Sequence, residues 1–194
     1  MTKKLLTDFV LKNISLSEYE FVNREHLKES LRGVYHDEDA KTMVATNGYA
    51  MYLSKPLYNE DFAGTIVKED GEVPSSDVKF PVWRNAVPDL STYESCKVNM
   101  ESLAKAVKDM GFLYTMAPGV RVSVSINGYL IAIQYAEKLL RFMLLNGVKH
   151  ILFSKFDYDH VRPIVARSEQ ETLILMPVVS RYDEQYVEVK VSKK

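Results

Sequence analysis

Two stretches of the sequence carry the same two signatures in the same order, and this repetition limits the possible folds more than any other feature. The first signature, Val-Asn-x-Glu-x-Leu, begins at Val22 and again at Val98. The second, Asn-Gly-Tyr, begins at Asn47 and again at Asn127. The copies lie 76 residues apart for the first signature and 80 residues apart for the second. We interpret the pattern as an internal duplication of one α+β unit.

The first signature has the properties of a helix start. Asn23 and Asn99 can each accept a hydrogen bond from a free N–H of the first turn. The glutamate two residues later lies where the helix dipole favours negative charge. Gly33 and Gly111 follow at the distance where a left-handed residue often ends a helix. The signature therefore predicts a helix over residues 24–32 in the first copy and a helix that ends before Gly111 in the second.

The second signature predicts a tight hairpin in each copy, because Asn-Gly between apolar strands is a strong hairpin signal. In the second copy, valine or isoleucine alternates with other residues over 120–126, and further apolar residues follow the turn at 130–133. Each unit is therefore predicted to be helix, strand, turn and strand. A third helix, which suggests a third and degenerate unit, is predicted from an apolar stripe that ends at Gly147. The stripe consists of Ala136, Leu139, Leu140, Met143 and Leu144.

The remaining segments predict strands, one acidic turn and one connector. Apolar runs predict strands at residues 18–22, 34–35, 42–46, 50–54, 65–68, 148–153, 162–167, 172–179 and 187–191. The cluster at residues 36–39, His-Asp-Glu-Asp, is interpreted as an acidic hairpin tip, with a metal site as the alternative. Two prolines bracket an aromatic and apolar segment from Phe80 to Pro88, which predicts an extended connector packed by Trp83.

The composition favours a soluble intracellular protein. A chain of 194 residues with 46% hydrophobic content is long enough for one compact domain or two small ones. The net charge of −1 gives no overall attraction to nucleic acid or to membranes. No apolar run reaches the length of a membrane span, and no signal peptide is recognised. The single cysteine, Cys96, excludes an intramolecular disulfide framework and fits a reducing cytoplasm.

The sequence contains no motif that carries catalytic chemistry. The four histidines lack His-x-x-x-His spacing, and no Cys-x-x-Cys pair is present. A P-loop, a dinucleotide fingerprint and Gly-x-Ser-x-Gly are also missing from the sequence. Asp157, Asp159 and His160 could bring two carboxylates and an imidazole together, but a polar turn between strands is the simpler interpretation. We therefore predict a non-enzymatic protein with no catalytic residues, no cofactor and no metal site.

Three segments resemble the bacterial DNA polymerase III beta sliding clamp family. Ala45–Met51 resembles the Ala-Thr-Asp-Gly-His-Arg-Leu segment of that clamp, and Phe80–Pro88 resembles its Phe-Pro-x-Tyr-Arg-x-Val-x-Pro connector. Leu173–Val178 resembles its C-terminal Val-Val-Met-Pro-Met end, and all three segments occur in the clamp's order. Asn47 and Tyr49 depart from the clamp pattern, as does Ala50, which leaves the preferred client open.

The resemblance implies an α+β, DNA-clamp-like fold of duplicated helix-plus-β-hairpin units with antiparallel sheets. Residues 1–90 would form a partial N-terminal clamp-like unit and residues 91–194 a C-terminal clamp-like domain, or the whole chain would form one compact unit. A clamp subunit of that family has three domains of two helices each. This chain is therefore expected to supply about half of a subunit.

The resemblance also implies a function in DNA replication and a site for client peptides. In that family the three segments line an apolar pocket for short linear motifs of polymerases, clamp loaders and other clients, a kind of pocket that suits an extended apolar peptide. The residues carried over are Thr46, Gly48, Tyr49, Met51, Pro81, Ala86, Ile174, Met176 and Pro177.

Double-stranded DNA, contacted through its phosphates, and a second copy of the chain are further partners that the resemblance implies, whereas no membrane contact is expected. The three predicted helices carry seven basic residues against five acidic ones, which fits phosphate contact but also fits ordinary solvated helix faces. The alternative is a clamp-fold interaction or structural module that binds no DNA. The candidate DNA-binding residues are Arg24, Lys28, Arg32, Lys105, Lys108, Lys138 and Arg141.

Overall fold

The computed structural model describes residues 15–75, 77–117, 119–155, 162–179 and 185–193. Within them the chain forms two compact units. The N-terminal unit consists of residues 17–89 together with residues 167–174, and the C-terminal unit contains residues 90–166 and the described residues after 174.

The described residues contain two α-helices and twelve strands. The helices are α1 (Met100–Met116) and α2 (Ile133–Leu145). The strands are β1 (Val34–Asp37), β2 (Thr42–Thr46), β3 (Ala50–Ser54), β4 (Ile66–Val67), β5 (Tyr93–Val98), β6 (Val122–Ile126), β7 (Tyr129–Ala132), β8 (His150–Ser154), β9 (Ile164–Arg167), β10 (Glu171–Leu175), β11 (Gln185–Val189) and β12 (Val191–Lys193). Short 3-10 helices lie at Glu18–Phe21, Glu29–Leu31, Glu60–Phe62, Trp83–Ala86 and Leu90–Thr92.

The N-terminal unit is built on a sheet with the strand order β10-β3-β2-β1-β4. The pairs β1–β2, β2–β3 and β1–β4 are antiparallel. Every residue of β2 is buried, so this strand forms the centre of the unit. On one face of the sheet the ring of Phe21 packs against that of Tyr52 at 5.1 Å between centroids.

The C-terminal unit contains two groups of strands and both α-helices. One group has the order β12-β5-β8-β9 and the other the order β11-β6-β7. The helices α1 and α2 pack against each other and against β6. Their buried faces are apolar and include Leu103 and Val107 of α1 and, as the sequence predicts, Leu139 and Met143 of α2. The α+β class is confirmed, and the strand pairs are antiparallel apart from β11 with β6, which is parallel.

Both Asn-Gly hairpins are confirmed. Gly48 has a φ of 87°, and the Asn47 side chain closes the first turn by accepting hydrogen bonds from the backbone N–H groups of Tyr49 and Ala50, both at 3.0 Å. In the second turn, Asn127 and Gly128 have φ values of 54° and 82°. Positive φ at both central residues is what a two-residue hairpin of this type requires.

The predicted helix over residues 24–32 is wrong. These residues form turns and the 3-10 helix Glu29–Leu31. The Asn23 side chain does accept a hydrogen bond from a backbone N–H, that of Glu25 at 3.1 Å, but it closes a local turn instead of a helix. A short helix depends on an apolar face that it can bury, and of the two leucines in this segment only Leu31 is buried, whereas Leu27 is 97% exposed.

Three other predicted boundaries are also wrong. Residues 18–22 do not form a strand, because Ser17 caps the 3-10 helix Glu18–Phe21 through a reciprocal exchange of hydrogen bonds with Glu20. Helix α1 does not end at Gly111 but continues to Met116. The connector is not extended throughout, since Trp83–Ala86 is a 3-10 helix. The third helix, in contrast, is confirmed, and Gly147 follows it with a φ of 62°.

Gly33 is required for a reason other than the predicted left-handed conformation. A Cβ atom at this position would lie 2.7 Å from the backbone oxygen of Val67 and 2.8 Å from Cγ2 of Ile66, so the backbone of residue 33 runs in close contact with β4. At Gly111, in contrast, an added Cβ would meet nothing within 4 Å. Gly33 is therefore needed for the close approach to β4, whereas the surroundings of Gly111 have room for a side chain. The sequence pattern alone does not distinguish the two glycines.

We expect Gly33→Ala to lower the free energy of unfolding by roughly 1–3 kcal/mol, because the methyl group would push against the β4 backbone. The matched variant Gly111→Ala is expected to raise it by roughly 0.5–1 kcal/mol, since alanine is the better helix former. Urea unfolding of both variants and the parent checks this. Equal effects of the two substitutions would contradict the assigned close approach.

Candidate functional site

The connector that follows β4 is fixed to the N-terminal sheet by aromatic and ionic contacts. The ring of Phe80 stacks on that of Tyr35 at 5.0 Å between centroids and 12° between planes. Further along, Trp83 Nε1 and Arg84 Nη2 donate hydrogen bonds to the two oxygens of Asp37, at 2.7 and 2.8 Å. The Arg84 guanidinium also lies 5.0 Å from the Trp83 ring centroid. The connector therefore runs along β1 from Tyr35 to Asp37.

Asp37 is the centre of this attachment. It is 3% exposed, and its Oδ1 also accepts a hydrogen bond from the backbone N–H of Ala40 at 2.8 Å. Burial acts to raise the pKa of the carboxyl, but the hydrogen bonds from Ala40 and Trp83 and the charge of Arg84 outweigh it, so the pKa lies below its ordinary value. Asp37 is therefore ionised at neutral pH and holds three donors in one place.

The acidic cluster at residues 36–39 belongs to this structural role. Glu38 and Asp39 lie exposed in the turn between β1 and β2, as the hairpin-tip interpretation predicts. His36 is buried, and its Nδ1 accepts a hydrogen bond from the backbone N–H of Asn59 at 3.1 Å. Burial lowers the pKa of His36. Among the described residues, no group of three or more His, Cys, Asp or Glu side chains could hold a metal ion.

The strand register shows which candidate residues share the face that the connector covers. Tyr35 lies opposite Val44, and Asp37 lies opposite Thr42, so alternation along β2 places Thr46 on the same face. Met51 lies directly opposite Thr46. We call this surface of the N-terminal sheet the connector face.

The register of β10 follows from a hydrogen-bond network on the other face. Tyr52 and Ser54 alternate with Met51 along β3, so they point away from the connector, and both donate hydrogen bonds to Oε1 of Glu171, at 2.5 and 2.8 Å. Burial, together with the adjacent Glu171, raises the pKa of Tyr52. Since side chains alternate along a strand, Ile174, three positions after Glu171, lies on the connector face with Met51.

The candidate peptide-binding residues fall into three groups. Thr46, Met51 and Ile174 lie on the connector face and are 8%, 8% and 5% exposed. Gly48 and Tyr49 form the adjoining hairpin turn, where the Tyr49 side chain is 66% exposed and the Gly48 N–H donates to Thr46 Oγ1 at 3.1 Å. The remaining four positions are exposed or half-buried, Pro81 and Ala86 on the connector and Met176 and Pro177 in the C-terminal unit.

Sequence reasoning missed the residues that hold the connector. Tyr35, Asp37 and Arg84 were not predicted as site residues, because Asp37 was assigned to an exposed acidic tip. The feature of the sequence that could have predicted them is the Trp83-Arg84 pair, because its two side-chain donors need an acidic or polar acceptor once the segment packs against the sheet.

Most of the candidate DNA-binding cations already have a partner. Arg24 forms an ion pair with Glu69, and Arg32 Nε donates to the backbone oxygen of His26 at 2.6 Å. On α1 and α2, Lys105 pairs with Asp109, Lys138 lies 5.7 Å from the Tyr135 ring centroid, and Arg141 donates to the backbone oxygen of Ser15 at 2.7 Å. Lys28 and Lys108 are exposed. Because the first predicted helix does not form, Arg24 lies in a turn, and Lys28 and Arg32 flank the 3-10 helix Glu29–Leu31.

We expect Asp37→Asn to lower the free energy of unfolding at pH 7 by about 1–3 kcal/mol, because three donors then face a neutral amide. The folded-state pKa is depressed, so this stability is present above the unfolded pKa of about 4 and is lost as pH falls further. The difference between parent and variant should therefore shrink below pH 4.

Urea unfolding across this pH range measures the effect of Asp37→Asn. Asp109→Asn, which breaks the exposed i,i+4 pair with Lys105 on α1, is the control and should change the stability little. A difference at Asp37 that stays constant from pH 7 to pH 3 would contradict the assigned ionic anchor.

No helix of the described residues is both long and apolar enough to span a membrane.

No protein-family model matches the chain, and no curated protein matches it either. Solved structures do match. They include the Caulobacter crescentus pol III beta, with a TM-score of 0.61, 14% identity and coverage of 90% of this chain and 64% of that one.

Two further matches belong to the same kind of protein. The DNA polymerase III subunit beta from Pseudomonas aeruginosa gives a TM-score of 0.58 at 13% identity, covering 92% of this chain and 65% of that one. The beta subunit from Thermotoga maritima gives 0.54 at 14% identity, covering 93% and 65%. The chain thus spans slightly less than two thirds of the length of the clamps it matches. It has the fold of the bacterial DNA polymerase III beta sliding clamps, and the resemblance seen in the sequence is confirmed at the level of the fold.

Proposed function

We propose that this protein is a non-enzymatic, sliding-clamp-like accessory of DNA replication that docks client peptides of the polymerase or clamp-loader type. The fold supports the general role, and the arrangement of the connector face supports the peptide site. Thr46, Met51 and Ile174 lie on one face of the sheet at 5–8% exposure, and the connector is fixed to that same face by Asp37. They would form the partly apolar floor of a site beside the exposed Tyr49, which suits an extended apolar peptide.

The exposed candidate residues would supply the contact area for a client. Tyr49 projects from the hairpin turn and offers a large ring with a polar tip, a side chain that is common at binding sites. The polar hydrogen bonds of Thr46, to Ala50 and Gly48, keep the turn in one conformation beneath it. Pro81 and Ala86 on the connector complete the members of the proposed set in the N-terminal unit. Met176 and Pro177 are its members in the C-terminal unit.

The test of the peptide site is a fluorescence titration with a labelled clamp-binding peptide. Tyr49→Ala and Met176→Ala should each weaken binding by about tenfold or more, the loss typical of an interface anchor. Both side chains are exposed, so stability should change little. Tyr186→Ala, at a tyrosine of β11 that is 54% exposed, is the matched control and should bind normally. Unchanged affinity in both site variants would refute the proposed site.

A second candidate is a clamp-fold interaction or structural module that binds no DNA. The engagement of five of the seven candidate cations with groups of the protein itself favours this reading. Lys28 and Lys108 make no side-chain ion pair with any residue in the described part of the chain. Arg24 and Lys105 would have to leave a carboxylate before they could neutralise a phosphate. The other three are held in place by a backbone oxygen or a ring.

Salt dependence of binding to double-stranded DNA separates the two candidates. Each phosphate neutralised adds roughly one unit to the slope of log affinity against log salt concentration. If only Lys28 and Lys108 contact phosphate, we expect a slope no steeper than about two. Lys28→Glu with Lys108→Glu should abolish that weak binding, whereas Lys55→Glu, at an exposed lysine outside the set, should not. A slope of about five or more would instead support phosphate contact by the whole set.

A further inference from the structure

The last described residues of the chain cover the edges of two strands in the C-terminal unit. β11 pairs in parallel with β6, in a register that runs from Gln185 opposite Val122 to Val189 opposite Ile126. β12 then pairs antiparallel with β5, with Val191 opposite Val98. In both groups of strands the final strand is the terminal one in the order. One short segment, residues 185–193, therefore acts as an edge cover for both.

The edge beneath β11 would be highly prone to pairing if it were free. Residues 122–133 contain no charged side chain and no proline, and valine and isoleucine alternate with serine along β6. All five residues of β6 are buried. Open edges with this composition readily recruit another strand, and proteins usually protect them with charges, prolines or a covering segment. Here the edge cover performs that protection.

The edge cover is attached mainly through its backbone. Among the side chains described from Gln185 to Ser192, only that of Val189 is buried. Lys190, between β11 and β12, contacts the start of α1 through its backbone, since its carbonyl accepts from Asn99 N at 2.9 Å and its N–H donates to Ser102 Oγ at 3.1 Å. A segment with few buried apolar contacts opens at a lower free energy than the core that it covers.

We propose that this segment exchanges between copies of the chain, so that β11 and β12 of one copy pair with β6 and β5 of a second. The covered edges already accept this sequence in one register, and a second copy supplies an identical segment. Exchange therefore replaces every contact by the same contact, and its equilibrium depends on protein concentration. The inference does not rest on the proposed function, and it assigns the edge of β6 that β11 covers as a strand-addition site.

The register provides a direct test, because Lys193 of β12 lies opposite the natural Cys96 of β5. A full-length donor carrying Lys193→Cys with Cys96→Ser is mixed with unmodified acceptor chain under mild oxidation. Mass spectrometry of the digest then identifies the joined positions. We expect a disulfide between position 193 of the donor and Cys96 of the acceptor, in an amount that rises with protein concentration.

Two controls make either result decisive. A donor with Ser192→Cys and Cys96→Ser, whose substituted position lies opposite Lys97, should give no such link. The single variant Lys193→Cys should form the link within one chain at high dilution, which shows that the two positions can react. If the intrachain link forms but the link between copies does not, the exchange is refuted. If the intrachain link also fails to form, the register on which the proposal stands is wrong.

Discussion

The carboxylate of Asp37 is the group on which the arrangement of the N-terminal unit depends. It is buried, it is ionised, and it binds a backbone N–H, an indole and a guanidinium at once. A buried charge is tolerated only when it is fully hydrogen-bonded, so the presence of Asp37 on β1 requires the connector to pack against that strand. Through the register of β1, β2 and β3, the same constraint fixes which side of the sheet presents Thr46 and Met51.

Local patterns in the sequence predicted those elements whose stability is local. The Asn-Gly turns, helix α2 and the start of α1 at Asn99 are specified by neighbouring residues, and each was located correctly. The sliding-clamp fold was also predicted, because three short segments and their order carried the resemblance. The candidate site was predicted as a set of positions, and the strand register then placed Thr46, Met51 and Ile174 on one face.

The predictions that failed depended on contacts distant in sequence. Asn23 has the chemistry of a helix cap, but the segment after it buries only one of its two leucines and forms no α-helix. Gly33 is restricted by β4, which lies more than thirty residues away, and sequence alone cannot reveal that approach. The same holds for Asp37, whose partners Trp83 and Arg84 follow far along the chain.

The composition of the N-terminal unit also has a consequence for how the chain acquires its structure during synthesis. Its sheet includes β10, which the ribosome makes about 85 residues after the rest of that unit. At elongation rates of about 5–20 residues per second this delay is roughly 4–17 s. During that interval the hydroxyls of Tyr52 and Ser54 lack their hydrogen-bond acceptor, the carboxylate of Glu171. The outer edge of β3 also has no neighbouring strand. The nascent chain is therefore exposed to chaperones and to misassociation until its second half has emerged.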